Sequence, residues 1–308
     1  MQTLVTGVTG YVGAALVPRL ARDGHAVRGF ARSAVRVVAE VDDVVEGDAV
    51  TGAGLDEALD GVEVAYYLIH SMERASAGAF DAQERTAAER FAKAARAAGV
   101  GRIVYLGGPV PRDAVASRHL RSRLAVEEIL LEAGVGGAGS VALRASIVIG
   151  ARSRSFRFLV RLVERLPVLA LPAWRDNRTR PIDGRDMLEY LARAATLDPA
   201  HAGRAYDIAG PDEMTYGEMV RRIADVMLVG RPSLGINLTM TPVTSVVAAA
   251  ISGEDPGFIE PLMESLEHDL LPRDEDAAVR FGVRPRRFDA AVERALRDWE
   301  REEEVAAR

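Results

Sequence analysis

The sequence predicts an α/β protein, a Rossmann-type doubly wound parallel sheet followed by a smaller C-terminal lobe. Three observations carry that prediction. Short β-branched runs alternate with helical patterns over residues 2–150, the rhythm of βαβ units on a parallel sheet. A glycine loop, Gly7-x-x-Gly10-x-x-Gly13, sits directly after the first strand pattern and before the first helix pattern. After Gly150 the rhythm changes to helix and proline-punctuated loop. The expected division is residues 1–150 for the sheet domain and 151–308 for a mixed α/β substrate lobe packed on it, with one extended domain as the alternative.

In chain order, strands are expected at Thr3–Thr6, Ala26–Ala31, Asp43–Glu46, Val64–Ile69, Arg102–Leu106 and Val141–Ala145. Helices are expected near Val12–Arg22, Gly54–Leu59, Phe80–Ala98 and Leu120–Glu132, each followed by a glycine (Gly24, Gly61, Gly99, Gly134) in the usual C-terminal capping place. Pro18 falls inside the first helix and removes one backbone donor there, bending without breaking it. Beyond Gly150, Phe156–Arg165 reads as a helix and Leu166–Trp174 as loop, with Pro167 and Pro172. A strand at Arg180–Ile182, a helix over Asp186–Ala195 and a strand at Ala205–Ile208 follow. A helix at Tyr216–Met227, started by the capping box of Thr215 and Glu218, and a tail helix from Asp289 to Glu303 complete the lobe.

Composition excludes several classes. The 308 residues contain no cysteine, which removes disulfides, thiolate metal sites and a cysteine nucleophile. A formal charge of −6 argues against a nucleic-acid surface. The best apolar run, Val243 to Ile251, is about half the roughly 18 residues a membrane span needs. With a strand pattern beginning at Gln2, a secretory leader is not expected, and the cytoplasm is the expected compartment. The basic stretch Arg152–Arg165 has apolar residues at helical spacing and reads as a solvated helix face. Histidine spacing suggests no metal site.

The glycine loop points to a dinucleotide. Gly7 allows a tight turn, Gly10 lets backbone approach a pyrophosphate and Gly13 lets the helix pack close to the strand, while phosphate charge settles on the helix N-terminus with the backbone of Thr9, Tyr11 and Val12. At the end of the second strand there is no acidic residue for an adenosine 2′-hydroxyl. Arg32 and Ser33 stand there instead, and a planar guanidinium suits the 2′-phosphate of NADP(H), which is therefore expected over NAD(H). An exposed surface arginine is the alternative. Asp48, after the third strand, either accepts from the adenine amino group or starts a turn.

These residues, together with Tyr66-Tyr-Leu-Ile-His-Ser-Met72, Arg102-Ile-Val-Tyr-Leu-Gly-Gly108, Leu143-Arg-Ala-Ser-Ile-Val-Ile-Gly150 and Pro181-Ile-Asp, resemble the atypical short-chain dehydrogenase/reductases, in particular NmrA-like NAD(P)H-binding proteins. The resemblance covers roughly residues 2–225. It implies that Leu68, Ile69, His70 and Ser71 pass beside the nicotinamide ribose, that Ala145, Ser146 and Ile147 flank the nicotinamide, and that Gly107 lies at the same edge. Most members deliver a proton with a Ser and a Tyr-x-x-x-Lys pair. Here the fifth strand ends in Gly107-Gly108, and His119 and Arg123 hold the matching helical positions.

Four residues apart on a helix, His119 and Arg123 share a face. An imidazole could replace the tyrosine as proton donor while the arginine holds ribose and disfavours the imidazolium. A polar helix without catalytic duty is the alternative, and His70 is a second catalytic candidate. Met72, Pro109, Phe156, Trp174 and Met240 are expected to line a substrate pocket. The function expected is an NADPH-dependent oxidoreductase that reduces a small, largely apolar carbonyl, enone or quinone. A non-catalytic NADP(H) sensor is the first alternative and an epimerase or isomerase the second.

Overall fold

The computed structural model describes residues 1–69, 79–111, 117–133, 139–235 and 256–301. Its centre is a seven-stranded parallel sheet. The strands are β1 (Gln2–Thr6), β2 (Ala26–Ala31), β3 (Asp43–Glu46), β4 (Val64–Tyr67), β5 (Arg102–Gly107) and β6 (Val141–Ala145), joined after the short β7 (Val148–Ile149), β8 (Leu169–Leu171), β9 (Arg178–Thr179) and β10 (Ile182–Asp183) by β11 (Arg204–Ile208). The order across the sheet is β11-β6-β5-β4-β1-β2-β3. The chain thus runs outward from β1 in one direction, returns, and runs outward from β4 in the other. This places the topological switch between β1 and β4, where Thr3 faces Val64 and Val5 faces Tyr66. All seven strands end on one edge, and ligands of such sheets bind there, in the crevice outside the carboxyl ends of the strands at the switch.

Helices cover both faces. On one, α1 (Tyr11–Arg22) buries Gly13, Leu16, Val17 and Leu20 at helical spacing. It packs against α6 (Gly184–Ala194), which contributes Met187, Tyr190 and Leu191 to the same core. Beyond the third strand lies α2 (Leu55–Leu59). On the other face, α3 (Ala79–Ala97) and α4 (Arg118–Glu132) pack together over Tyr67, Tyr105, Phe91, Val126 and Leu130. A separate apolar core holds the lobe together. It joins α5 (Arg154–Arg165), α7 (Tyr216–Val226), α8 (Pro256–Leu266) and α10 (Phe288–Glu300), with the small α9 (Ala277–Arg280) lying against β11. Two more short strands, β12 (Met214–Thr215) and β13 (Ser233–Gly235), pair with β9 and β8.

The six strands expected in the first half all form. The strand expected at Ala205–Ile208 forms too, but in the central sheet and not in the lobe: Arg204 faces Val141 and Ile208 faces Ala145 in parallel register. Its buried Tyr206 and Ile208 complete the core under α6, so the helix expected in the lobe is the crossover helix of a further βαβ unit. The strand expected over Arg180–Ile182 is split into β9 and β10 around Pro181, which has no N–H to donate. Within the stretch expected to be loop, Leu169–Leu171 pairs with β13.

Candidate functional site

The glycine loop is built by close approach at the switch point. Thr6, at the end of β1, donates its hydroxyl to the Tyr66 carbonyl (3.0 Å) and accepts from the Leu68 N–H (3.0 Å), locking β1 to β4. One residue on, Gly7 has φ +65°, and a Cβ there would stand 2.5 Å from the Leu68 carbonyl oxygen. A Cβ at Gly13 would stand 2.4 Å from the Gly7 carbonyl oxygen. Both positions exclude any side chain. Gly10 differs: its backbone is extended (φ −88°, ψ 169°), and its Cβ would meet only the Gly7 carbonyl oxygen, at 3.2 Å.

Gly10 is the N-cap of α1, where no side chain caps the helix and the first turn has no acidic residue. The positive end of a three-turn helix is thus left for an external anion. Thr9 is exposed beside it, and Val12 lies half-buried one turn into the helix. Tyr11 turns its ring away toward Gly150 and Gly184. Burial pushes its hydroxyl pKa up to about 12, partly countered by the Arg294 cation. The loop therefore fits a dinucleotide pyrophosphate by the cradle it leaves open at Gly10.

The neighbouring strand ends supply the rest of the edge. Arg32 is exposed after β2 and makes no ion pair among the described residues, which leaves its guanidinium available to a phosphate. Ser33 is half-buried beside it, and the next N–H, that of Ala34, donates to Glu46 (2.6 Å) from the end of β3. Asp48 uses Oδ1 for its own turn, accepting from the Val50 N–H (2.7 Å), the turn-starting role that was one of its two expected readings. Leu68 is buried and Ile69 half-buried just past β4. Gly107 ends β5, and Pro109 is buried two residues later. Past β6, Ala145 and Ile147 are buried, and the Ser146 hydroxyl pairs with that of Thr179 (2.5 Å). His70, Ser71, Met72 and Met240 lie outside the described residues.

His119 stands in the first turn of α4, which Ser117 caps by accepting from the Leu120 N–H (3.3 Å). Its Nδ1 is buried without a hydrogen-bond partner among the described residues. Burial, reinforced by the nearby Arg123 cation, lowers its pKa to about 3. The imidazole is neutral at every pH where the protein would work, so it offers an N–H or a lone pair and holds no spare proton as an imidazolium.

Arg123 was expected to share the cleft with His119. The structure instead engages it from α3. Its guanidinium lies 3.7 Å from Glu84, both side chains being buried, and Glu84 also accepts from the Ser122 hydroxyl (2.7 Å). Burial works against the Arg123 cation, but Glu84 and Tyr105 outweigh it and raise the pKa above the ordinary value. Phe156 and Trp174, expected as pocket lining, belong to the lobe's core: Phe156 has no exposed surface, and Trp174 packs edge-on against Tyr216. Their apolar bulk packs in one core with residues of α7 and α10. Sequence reasoning missed Thr6 and Glu84. The first is hidden in a strand pattern, and the second reads as a solvated charge on a long amphipathic helix.

Residues 7–131 match a protein family described as NAD(P)H-binding. The chain is 27% identical over 314 residues to the (4-alkanoyl-5-oxo-2,5-dihydrofuran-3-yl)methyl phosphate reductase of Streptomyces griseus, covering 97% of this chain and 96% of that one. It is also 27% identical to the 2-alkyl-3-oxoalkanoate reductase of Stenotrophomonas maltophilia, over 75% of this chain and 77% of the other. Among solved structures, a short-chain dehydrogenase/reductase superfamily protein from Agrobacterium tumefaciens with bound NAD superposes with a TM-score of 0.69 at 20% identity, covering 98% of each chain. No helix among the described residues is long and apolar enough to cross a membrane, and no group of three or more His, Asp or Glu side chains there could hold a metal ion. With its uncapped helix at a β1–β4 switch point, the chain has a Rossmann fold whose residues 7–131 are similar to an NAD(P)H-binding family.

Proposed function

We propose that the protein is an NADPH-dependent reductase of small, largely apolar acceptors whose carbonyl is conjugated or lies next to a second carbonyl. The observation that carries the reading is the uncapped N-terminus of α1 at the open Gly10 position, with Arg32, which makes no ion pair among the described residues, at the end of the adjacent strand. Loop N–H groups would hold the pyrophosphate, and Arg32 with Ser33 the 2′-phosphate that separates NADPH from NADH. The names of the two relatives support the acceptor class, one a reductase of an alkanoyl-butenolide phosphate and the other of a 3-oxoalkanoate.

Bound NADPH supplies a hydride from its nicotinamide ring. Hydride transfer of that kind would leave negative charge on the acceptor oxygen, where an oriented donor from the chain would lower the barrier. His119 fills that role as a neutral imidazole donating its N–H, because burial and Arg123 hold it unprotonated. Water supplies the proton that completes the product. Glu84 acts through Arg123, holding the cation whose charge helps to keep the imidazole neutral. By the sequence resemblance, Arg123, His119 and the Gly107-Gly108 strand end would take the places of Lys, Tyr and Ser.

The test is an acceptor panel. Purified protein with NADPH is mixed with 3-oxoesters, acyl-butenolides, simple enones and quinones, and loss of NADPH absorbance is followed. Turnover on one of these classes, with NADPH bound more tightly than NADH, supports the reading. Tight NADPH binding without turnover on any acceptor would favour the second reading, a non-catalytic NADP(H) sensor, which the engagement of Arg123 by Glu84 also fits.

A further inference from the structure

A line of hydroxyls runs from the core of the lobe to the ligand edge of the sheet. Ser146 stands just past the end of β6, half-buried between the buried Ala145 and Ile147. Its hydroxyl lies 2.5 Å from that of Thr179 and makes no other hydrogen bond among the described residues. Thr179 is a fixed anchor. It has no exposed surface, pairs with Met214 in antiparallel register and also bridges Leu270. Tyr216, at the start of α7, brings its phenol to the same Thr179 hydroxyl. That phenol is buried, packs edge-on against Trp174, and has no other partner among the described residues.

Counting protons gives the line a direction. Each hydroxyl of Tyr216, Thr179 and Ser146 carries one proton, and the bonds between neighbours use all but one of them. The O–H left over belongs to one end of the line. At the Tyr216 end it would be a buried donor without an acceptor, a costly arrangement that folded proteins avoid. Burial also raises the phenol's pKa, with Thr179 only partly countering it, so that group stays protonated. Tyr216 therefore donates to Thr179, and Thr179 donates to Ser146. The spare O–H is that of Ser146, at the edge where ligands of parallel sheets bind.

Ser146 is one strand away from the turn that carries His119. A Cβ at Gly108, just past β5, would stand 3.0 Å from the side chain of Leu120, the residue after His119. β5 and β6 are parallel neighbours, with Gly107 facing Arg144, and such neighbours lie about 5 Å apart. The imidazole N–H and the serine O–H thus belong to adjacent strand ends. A ligand with one oxygen satisfies one donor. A ligand with two oxygens on one short carbon unit satisfies both and leaves neither unpaired.

We propose that Ser146 is a second hydrogen-bond donor to the acceptor, oriented by Thr179 and Tyr216, and that it selects 3-oxoesters and related 1,3-dicarbonyls over acceptors with a single carbonyl. The acceptor class rests on the reductase reading, and the test therefore reads binding without turnover.

The probes are ethyl 3-oxohexanoate and 4-nonanone, which has the same chain length without the ester oxygens. Each is titrated calorimetrically into protein saturated with NADP+. The oxoester should bind wild type about fivefold more tightly than the ketone, the factor that one neutral hydrogen bond contributes. Ser146→Ala should weaken the oxoester about fivefold and Thr179→Val about threefold, both leaving the ketone within about twofold. Thr179→Ser keeps the hydroxyl and should bind the oxoester like wild type, which separates an orienting hydroxyl from a packing role. Thermal melts of every variant confirm folding. The proposal is overturned by equal binding of the two probes to wild type, by equal losses of both in Ser146→Ala, or by no measurable binding of the oxoester. It is also overturned by wild-type affinity in Ser146→Ala and Thr179→Val, or by a Thr179→Ser as weak as Thr179→Val. Discrimination that depends on Ser146, without any NADPH turnover of the oxoester, supports this subsite and refutes the reductase reading.

Discussion

Replacing Gly10 and Gly13 separately by alanine divides the loop into the part that builds the fold and the part that receives the cofactor. At Gly10 the backbone is extended, and an added methyl meets one carbonyl oxygen at 3.2 Å. The expected cost is a few tenths of an ångström of give plus the loss of a preferred N-cap residue, about 1 kcal/mol in all. For a chain of this size that corresponds to about 2–4 °C in Tm. The methyl nevertheless stands where the pyrophosphate must approach. Losing two charge-assisted N–H contacts at about 1.5 kcal/mol each gives about 3 kcal/mol, or more than about a hundredfold in NADPH affinity.

At Gly13 the methyl would stand 2.4 Å from the Gly7 carbonyl oxygen and 2.9 Å from the Val8 Cα, both backbone atoms. Helix α1 must move off the sheet to accept it, and overpacking of this kind costs about 1–3 kcal/mol. The assay is a thermal melt without cofactor together with an NADPH titration for each variant. Gly10→Ala should lose binding and lower its melt by no more than about 2–4 °C, whereas Gly13→Ala should lose more melt temperature than that even without cofactor. Normal NADPH affinity in Gly10→Ala, or an unchanged melt in Gly13→Ala, would refute the placement of the pyrophosphate and the close-packing role of each glycine.

Three further outcomes are expected. Arg32→Ala should weaken NADPH by about tenfold or more, one exposed charge-assisted contact, and leave NADH within about twofold; equal losses for both cofactors would remove Arg32 from the 2′-phosphate site. His119, with its pKa lowered from 6.5 to about 3, binds fewer protons folded than unfolded between those values. Its stabilising contribution is therefore full above pH 6.5 and shrinks as pH falls toward 3. His119→Gln should flatten the loss of stability between pH 7 and pH 4, measured by denaturant titration, and the wild-type rate should show no histidine break near pH 6.5; such a break would contradict a neutral imidazole. Glu84→Gln leaves the buried Arg123 without its carboxylate and should cost roughly 3 kcal/mol in the same titration; a change below about 0.5 kcal/mol, the size of an exposed pair, would show the pair to be solvated.

What was legible in the sequence was local. The glycine loop announces itself because three evenly spaced glycines, the strand before them and the start of the helix after them fall within a dozen residues. The six strands of the first half are legible for the same reason. β11 was assigned to the wrong layer because its partner, β6, is separated from it by four short strands and two helices, and nothing in a five-residue strand pattern names its neighbour. Phe156 and Trp174 illustrate a second limit: an aromatic residue in a loop-rich region reads the same whether it lines a pocket or fills a core, and packing from α7 and α10 decides.

The site divides along the same line. Helical spacing correctly put His119 and Arg123 on one helix, but a spacing rule has no access to the helix packed alongside. Glu84, on α3, draws Arg123 into a buried pair, and that pair helps to set the imidazole's charge. Tyr11 looked like one more loop residue contributing backbone. Only the positions of Gly150 and Gly184, more than a hundred residues away in sequence, show its hydroxyl turned away from the loop.

The central claim is hydride delivery from NADPH to a carbonyl-conjugated acceptor. Its most direct measurement uses NADPH deuterated at nicotinamide C4, on one face and then on the other, with product mass read after a single turnover on a 3-oxoester or acyl-butenolide. Product heavier by one deuteron with one of the two labels, and that transfer slowed in His119→Gln, is the predicted result. Unlabelled product with both labels, or no product at all from protein saturated with NADPH, would contradict it.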